Sequence, residues 1–248
     1  MFALLRTLAL ALLVAVAGQA PAQILPGILA APVAAAATDC SSFANLVAWY
    51  RLGVGLTNDG AGLISKWADQ SGAGNDLNAT TTKRPTLQGD NSLLFNGTGN
   101  VMASSNFTLN QPYSVFILFK QVTWTYQDYI LDGNSGDNGA LVQYPTASSP
   151  SLIMYAGGAL TVATTDLALN TYGAVGLVFN GASSKMQVDS HAQVTGSPGT
   201  ANAGGITLGS YGNKSTQFAN MQVKEMCVYT GAKSDADIQS IIDYLNTL

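Results

Sequence analysis

The sequence predicts an all-β protein, a two-sheet antiparallel sandwich with one short helix at its C-terminal end. From Cys40 onward, short apolar runs rich in Val, Ile, Phe and Tyr alternate with turns rich in Gly, Asn and Ser, the pattern of short strands. A helical spacing of apolar residues occurs close to the C-terminus. The sequence shows no internal repeat and no sign of a second domain, so residues 40–248 are predicted to form one domain.

The predicted strands follow one another at short intervals. Tyr113–Phe119 and Tyr172–Phe179 are apolar on both faces, so we place them in the middle of the sandwich. Residues 77–91 are polar and are predicted to form a loop. The predicted strands are Leu46–Leu52, Leu63–Trp67, Leu93–Phe95, Val101–Ala103, Tyr113–Phe119, Tyr129–Leu131, Ala140–Tyr144, Ser151–Tyr155, Leu160–Ala163, Tyr172–Phe179, Met186–Asp189, Ile206–Gly209 and Met221–Tyr229.

The predicted helix begins after Ser234, a good N-cap residue. Asp235 and Asp237 follow in the first turn, where their charge suits the helix dipole. Ile238, Ile241, Ile242 and Leu245 then form one apolar stripe. We expect this stripe to pack on the sandwich near the first strand.

The N-terminal residues have the pattern of an export signal. Arg6 precedes an apolar core at Leu8–Ala17, and Ala20-Pro21-Ala22 offers small residues for cleavage before Gln23. Residues 1–22 are therefore predicted to be a signal peptide and residues 23–39 an Ala- and Pro-rich linker, which leaves no membrane span in the mature form. In the alternative, residues 1–39 form a retained apolar arm that packs against neighbouring subunits, in a homo-oligomer or a virion.

Two cysteines, Cys40 and Cys227, stand near opposite ends of the predicted domain. In an exported protein an even number of cysteines indicates a disulfide, and this one would close a loop of nearly the whole domain. The alternative is a pair of buried thiols.

Composition argues against nucleic-acid binding. Charged residues are 10% of the chain, the net charge is −4, and the 10 Lys and Arg are scattered singly. A protein that neutralises phosphates needs a basic patch, and none is present in the sequence.

The segment Trp67–Asp76 places a tryptophan before a turn of Asp, Gln, Ser, Asn and two glycines. It is followed along the chain, in this order, by Leu94–Gly97, Ile130–Gly133 and Phe179–Asp189. This order resembles the laminin-G-like domains of the concanavalin A-like jelly-roll group. The resemblance implies a jelly-roll sandwich over 40–248, a fold that hosts lectins, hydrolases, adhesins and spacers. We interpret Trp67–Asp76 as a fold-setting turn, and assign Trp49 and Trp67 to the core.

Catalytic residues are not evident, and the sequence predicts no enzyme. The resemblance implies that a hydrolase of this fold would carry paired glutamates near Glu-x-Asp-x-x-Glu, but Glu225 is the one glutamate in the chain. Glu225 is interpreted as structural. His191, the one histidine, lies in a polar segment and is interpreted as a solvated surface residue. An enzyme would require carboxylates that converge in a groove of the fold.

Two polar aromatic segments are the predicted ligand site. Sugar binding needs aromatic faces for the rings and amides or carboxylates for the hydroxyls. Trp124 and Tyr126 occupy alternate positions that would share one face of a strand. The predicted ligand-binding residues are Trp124, Tyr126, Gln127, Asp128, Tyr211 and Asn213. The alternative is that these aromatics pack on their own sheet.

A glycine-rich loop at residues 132–138 supplies the predicted metal ligands. Asp132, Asn134 and Asp137 offer the hard oxygen atoms that Ca²⁺ prefers. Some laminin-G-like domains bind calcium, so the resemblance supports Ca²⁺ as a cofactor. The alternative is a polar turn between strands.

These observations predict a non-catalytic recognition or adhesion module that binds carbohydrate, or a protein surface, on a secreted or particle-surface protein. The alternative is a structural virion protein, such as a phage decoration or fibre component, located at the virion surface.

Overall fold

The computed structural model describes residues 39–144, 150–160 and 167–248. The predicted signal peptide, 1–22, and all of the predicted linker except Asp39 lie outside these residues. The last part of the predicted strand Leu160–Ala163 also lies outside them, and its described part belongs to the strand Ala159–Leu160.

The described residues contain seventeen strands, one α-helix and two short 3₁₀ helices, Cys40–Ser42 and Gly181–Ser183. The helix α1 is Asp235–Leu245. The strands are β1 Leu46–Tyr50, β2 Leu56–Asn58, β3 Ile64–Trp67, β4 Leu77–Asn78, β5 Thr86–Leu87, β6 Leu93–Asn96, β7 Met102–Ala103, β8 Tyr113–Gln121, β9 Tyr129–Asp132, β10 Asn138–Gln143, β11 Leu152–Ala156, β12 Ala159–Leu160, β13 Gly173–Phe179, β14 Ser184–Val188, β15 Val194–Gly196, β16 Thr207–Leu208 and β17 Asn220–Thr230.

In the described residues these strands form two antiparallel sheets, which confirms the predicted all-β sandwich. One sheet has the order β15-β14-β13-β8-β17-β6-β5, with β1 paired to β17. The other has the order β12-β11-β10-β9-β16-β7-β4-β3-β2. Large apolar side chains from both sheets, among them Phe119, Leu141 and Met154, are buried in one core cluster. β8 and β13 lie inside the first sheet, as their uniform apolar character predicts.

The prediction was wrong for four short strands. Residues 77–91 were predicted as a loop, yet they contain β4 and β5, and neither β2 nor β15 was predicted. Each of these strands has only two or three residues, too few to show an alternation of apolar and polar positions. Their extended conformation follows from pairing with a neighbouring strand, as in the pairing of Thr86 with Leu94.

The C-terminal helix packs on a second apolar cluster that contains Phe116 and Trp49. Ser234 caps it as predicted, since its hydroxyl accepts the amide of Asp237 and the Asp237 carboxylate accepts the amide of Ser234. The same cluster contains the Cys40–Cys227 disulfide, which confirms the predicted pairing. Within the described residues, no helix has the length and apolar character needed to cross a membrane.

Glu225 is 1% exposed and joins β17 to the first strand and the helix. Its Oε1 accepts the indole N–H of Trp49 and the hydroxyl of Tyr244, both at 2.7 Å, and its Oε2 accepts the amide of Leu52 at 3.1 Å. These three donors satisfy a carboxylate that would otherwise be costly to bury. The contacts support the structural interpretation of Glu225.

The turn after Trp67 is organised by Asp69. Its carboxylate accepts the amides of Trp49, Ser71 and Asn75, at distances of 2.8–3.0 Å. Trp67 itself is 1% exposed in the core. The Asp69 carboxylate therefore connects the turn to β1 and binds the turn's own backbone amides, in agreement with the interpretation of a fold-setting element.

Candidate functional site

A cleft of about 370 Å³ opens on the face of the nine-stranded sheet that points away from the main core. Its floor is apolar and its rim is formed by phenol, amide and carboxylate groups. The volume lies at the small end of the range for small-molecule sites, about 300–1,000 Å³. The lining residues are Gln127, Tyr129, Asp137, Val142, Tyr144, Ile153, Tyr155, Ala159, Tyr211 and Gln217.

The floor of the cleft results from the two-residue period of the strands. In β10, Leu141 belongs to the main core whereas Val142 belongs to the cleft cluster. Val142 is the antiparallel partner of both Ile153 in β11 and Tyr129 in β9. The three side chains therefore form a row across three strands. Both faces of this part of the sheet are apolar, so the outer face offers a surface for the apolar side of a ligand.

Asp137 stands at the rim between two tyrosines. The hydroxyl of Tyr129 donates to Asp137 Oδ1 at 2.6 Å, and that of Tyr211 donates to Oδ2 at 3.3 Å. The two rings meet edge to face, with centroids 5.1 Å apart. Burial, together with the Asp137 carboxylate, raises the pKa of Tyr129 and of Tyr211. Both phenols therefore remain protonated donors, and they fix the Asp137 carboxylate as an acceptor.

The backbones of two glutamines in the cleft lining, Gln127 and Gln217, are held by hydrogen bonds. The amide of Gln127 donates to the carbonyl of Gln143 at 2.9 Å, and the carbonyl of Gln217 accepts the amide of Tyr129 at 3.2 Å. Gln127 and Gln217 have φ angles of 66° and 55°, an uncommon conformation for residues other than glycine. Two loops distant in sequence thus each bring an amide side chain to the same rim.

The structure brings two of the six predicted ligand residues, Gln127 and Tyr211, into the lining of the cleft. Tyr126 is 38% exposed and its ring centroid lies 5.2 Å from that of Tyr144, a lining residue. The prediction that Trp124 and Tyr126 share a strand face was wrong, because residues 122–128 connect β8 to β9 without forming a strand.

The remaining predicted ligand residues lie outside the lining. The indole of Trp124 donates to the carbonyl of Ser151 at 3.2 Å. Asp128 is half-buried, and Asn213 lies in an exposed turn where its side-chain amide donates to Thr216 at 2.9 Å. Ligand binding by these three residues stays a prediction.

In the predicted calcium loop, the Asp132 carboxylate is occupied by hydrogen bonds from backbone amides. Asp132 is 1% exposed, and its carboxylate accepts the amides of Gly133, Asp137, Asn138 and Gly212 at 2.8–3.1 Å. This carboxylate connects residues 132–138 to the segment that carries Tyr211. Burial raises the pKa of Asp132 to about 6, although the four amides favour its charged form.

The other two predicted calcium ligands point to different partners. The side chain of Asn134 donates to the carbonyl of Ser104 and accepts the hydroxyl of Thr207, whereas Asp137 faces the cleft. Among the described residues, acidic, cysteine and histidine side chains come together in a group of three at one place, which consists of Cys40, Glu225 and Cys227. The two cysteine sulfurs of this group form the disulfide. The three predicted side chains therefore share no oxygen cage in this arrangement, and calcium binding stays a prediction.

Sequence reasoning missed four of the polar lining residues: Tyr129, Tyr144, Tyr155 and Gln217. A signal was present for two of them. Val142-x-Tyr144 and Ile153-x-Tyr155 repeat an aliphatic and an aromatic residue at a spacing of two, which places both aromatics on the outer face. The position of Gln217 beside them depends on the contact of its loop with β9, and no local pattern reveals that contact.

The pH dependence of stability provides a test of residues 122–128, the loop that connects β8 to β9. Burial raises the pKa of Asp128 to about 6, above the value of about 3.9 for an unfolded chain. Protonation of Asp128 therefore favours the folded state, and this contribution is lost as pH rises through 6. We expect Asp128→Asn to raise the urea midpoint more at pH 7.5 than at pH 4.5.

Asp243→Asn, on an exposed helix position, is the matched control for this measurement. It should change the urea midpoint by similar amounts at both pH values. An equal shift at both values for Asp128→Asn would contradict the assigned pKa.

Comparison with known proteins provides structural relatives only. No protein-family model matches the sequence, and no curated protein matches it significantly. The fold is similar to that of the Trypanosoma rangeli sialidase in complex with sialic acid, with a TM-score of 0.57 and 15% identity over 83% of this chain. The chain covers 33% of that sialidase, so it spans about a third of its length.

Two arabinose-related structures are also similar. One is a GH54 α-L-arabinofuranosidase, with a TM-score of 0.55 and 15% identity over 83% of this chain and 60% of that chain. The other is domain 4 of AbnA, a GH43 extracellular arabinanase from Geobacillus stearothermophilus, in complex with arabinotriose. It has a TM-score of 0.54 and 13% identity over 80% of this chain and 98% of that chain.

These comparisons contradict the predictions of a non-catalytic recognition module, of a virion protein as its alternative, and of no enzyme. The three structures described above come from a sialidase, an arabinofuranosidase and an arabinanase. The paired glutamates that the chain lacks define one catalytic arrangement, so their absence does not exclude the glycoside hydrolases as a class. At these identities the likeness establishes a β-sandwich fold of the kind found in glycoside hydrolases, and it does not establish the laminin-G type.

Proposed function

We propose that this chain acts in glycan processing, as part or all of a carbohydrate-active enzyme, and that it holds its sugar ligand in the tyrosine-lined cleft. The observation that carries the proposal is the composition of the cleft. Aromatic rings stand over an apolar floor, and two amides and one carboxylate stand at the rim. Such a site offers stacking to the C–H faces of a sugar ring and hydrogen bonds to its hydroxyl groups.

Two further features support the proposal. The fold is shared with a sialidase, an arabinofuranosidase and an arabinanase domain, of which the last was solved with arabinotriose. The disulfide is consistent with an extracellular protein, where polymeric glycans are encountered.

The same proposal includes the organisation predicted from the sequence. Residues 1–22 serve as an export signal, 23–39 as a linker and 40–248 as a laminin-G-like jelly-roll domain. The intact mass of the exported protein tests this arrangement, because retention of residues 1–22 would contradict it.

Tyr155 provides the most direct test, because it lines the cleft and is only partly buried. We expect Tyr155→Ala to weaken the binding of arabinotriose about tenfold, since one wall for ring stacking is lost; this corresponds to about 1.4 kcal/mol. Isothermal titration calorimetry measures the affinity, and release of reducing sugar from arabinan measures turnover on the same samples.

Tyr172→Ala is the matched control, because Tyr172 is a half-buried tyrosine in the other apolar cluster. It should leave arabinotriose binding unchanged. Equal losses in both variants, or wild-type protein that neither binds nor cleaves any neutral or acidic glycan tested, would contradict the proposed site.

A further inference from the structure

The charge of the cleft is fixed by one residue. Of the lining residues in the described part of the chain, Asp137 carries a formal charge and the others are neutral. The phenols of Tyr129 and Tyr211 both donate to this carboxylate, and their raised pKa values keep them neutral donors. The cleft is therefore a negatively charged site with neutral walls.

None of the cations in the described residues lines the cleft. Lys and Arg total 10, and all but Arg6 lie within the described residues. Lys66, Arg84 and Lys185 form ion pairs with aspartates. The others lie over aromatic rings, as Arg51, Lys120, Lys224 and Lys233 do, or line a separate pocket, as Lys83 and Lys214 do.

The two segments that adjoin the cleft strands but lie outside the described residues add no cation. Their sequences, residues 145–149 and 161–166, contain neither Lys nor Arg, and the second contains Asp166. No basic side chain of these segments is therefore available to pair with an acidic ligand.

From this charge distribution we propose that the cleft takes uncharged sugar rings and discriminates against acidic sugars, including sialic acid. The inference rests on the proposed function and specifies the substrate class of the same site. A neutral sugar presents hydroxyl donors to Asp137 and both donors and acceptors to Gln127 and Gln217. A sugar carboxylate would meet the Asp137 carboxylate in a partly desolvated cleft, with no cation among the described lining residues to offset the repulsion.

The volume of about 370 Å³ adds a limit on size. It lies near the lower bound for small-molecule sites, which corresponds to one or two sugar rings rather than a long chain held within the cleft. Further rings of an oligosaccharide would extend past the rim toward Tyr126, whose exposed ring lies beside Tyr144.

Sialic acid and its methyl ester form a matched probe pair, because they share the ring and differ in the charge. We expect wild-type protein to bind arabinotriose, and to bind the ester at least tenfold more tightly than the free acid. The difference should shrink at high ionic strength, because salt screens the repulsion at this open rim. Calorimetry or ligand-observed NMR measures each affinity.

Two variants test the cause of the discrimination. Asp137→Asn keeps the shape and suits the φ angle of 54° at this position, since asparagine tolerates this conformation. Gln127→Lys adds a cation at an exposed lining position. Both should improve the binding of sialic acid relative to its ester, whereas Asn213→Lys, in an exposed turn outside the lining, should not.

The outcomes distinguish a failure of the proposed charge selectivity from a failure of the proposed sugar-binding function. If wild-type protein binds the acid as tightly as the ester, the proposed selectivity is wrong and the sugar site stands. If it binds none of arabinotriose, the ester or the acid, the proposed function is wrong. If neutral ligands bind but neither variant changes the ratio of acid to ester, Asp137 is not the source of the selectivity and the inference is overturned.

Discussion

Replacing Glu225 with alanine should lower the free energy of unfolding by about 3–5 kcal/mol, because three donors, two of them buried, would lose their acceptor, each buried one at a cost of about 1–3 kcal/mol. The donors are the indole of Trp49, the amide of Leu52 and the hydroxyl of Tyr244. Glu225 is 1% exposed, so water cannot replace it without opening the packing between β17, the first strand and the helix. Urea unfolding measures the change, and Tm should fall by about 10 °C.

Three further variants define the cause. Glu225→Gln keeps the volume and one acceptor, so its loss should be smaller than that of alanine. Asp243→Asn, at an exposed helix position, should be nearly neutral. Glu225→Ala combined with Tyr244→Phe should destabilise less than the sum of the two changes, because they remove the same hydrogen bond. A loss below about 1 kcal/mol for Glu225→Ala would contradict the assigned role.

Removing the Cys40–Cys227 disulfide should lower the free energy of unfolding by about 3–5 kcal/mol, in line with native disulfides that close long loops. The two cysteines are separated by 187 positions, so the crosslink restricts nearly the whole unfolded domain. Both cysteines are 0% exposed, so alanine is a suitable replacement. Urea unfolding of Cys40→Ala/Cys227→Ala under oxidising conditions measures the loss.

Wild-type protein under reducing conditions is the natural control for this variant. Its stability should fall toward that of the double alanine variant, whereas the double variant should be insensitive to the reductant. If oxidised wild-type protein and the double variant differ by less than about 1 kcal/mol, the disulfide is not a major stabilising element.

The function predicted from the sequence, a non-catalytic module, was wrong. From the sequence, one glutamate and one histidine in 248 residues predicted a non-catalytic module. Known catalytic pairs are absent from the sequence, but their absence does not reveal which enzymes share the same sandwich. The likeness to solved structures establishes the β-sandwich fold, and the proposal of glycan processing rests on the composition of the cleft.

Much of the fold followed from local pattern. Ser234 and Asp237 predicted the start of the helix, and its apolar stripe predicted the packed face. Uniform apolar character placed β8 and β13 inside a sheet. These features were predictable because capping and strand burial depend on residues that are close in sequence. The strands of two or three residues were not, because runs this short show no alternation of apolar and polar positions and only their pairing with another strand holds them extended.

By itself, the sequence determined a β-sandwich with a closing helix, a disulfide and three separate polar segments. Only the tertiary structure decided that Gln127, Asp137 and Tyr211, one from each segment, meet over the outer faces of β9, β10 and β11. The reason is that β16 pairs with β9, with Leu208 opposite Leu131, and carries the Tyr211 loop to the rim. That pairing joins residues far apart in the chain, so no local pattern encodes it, and the cleft exists only in the folded protein.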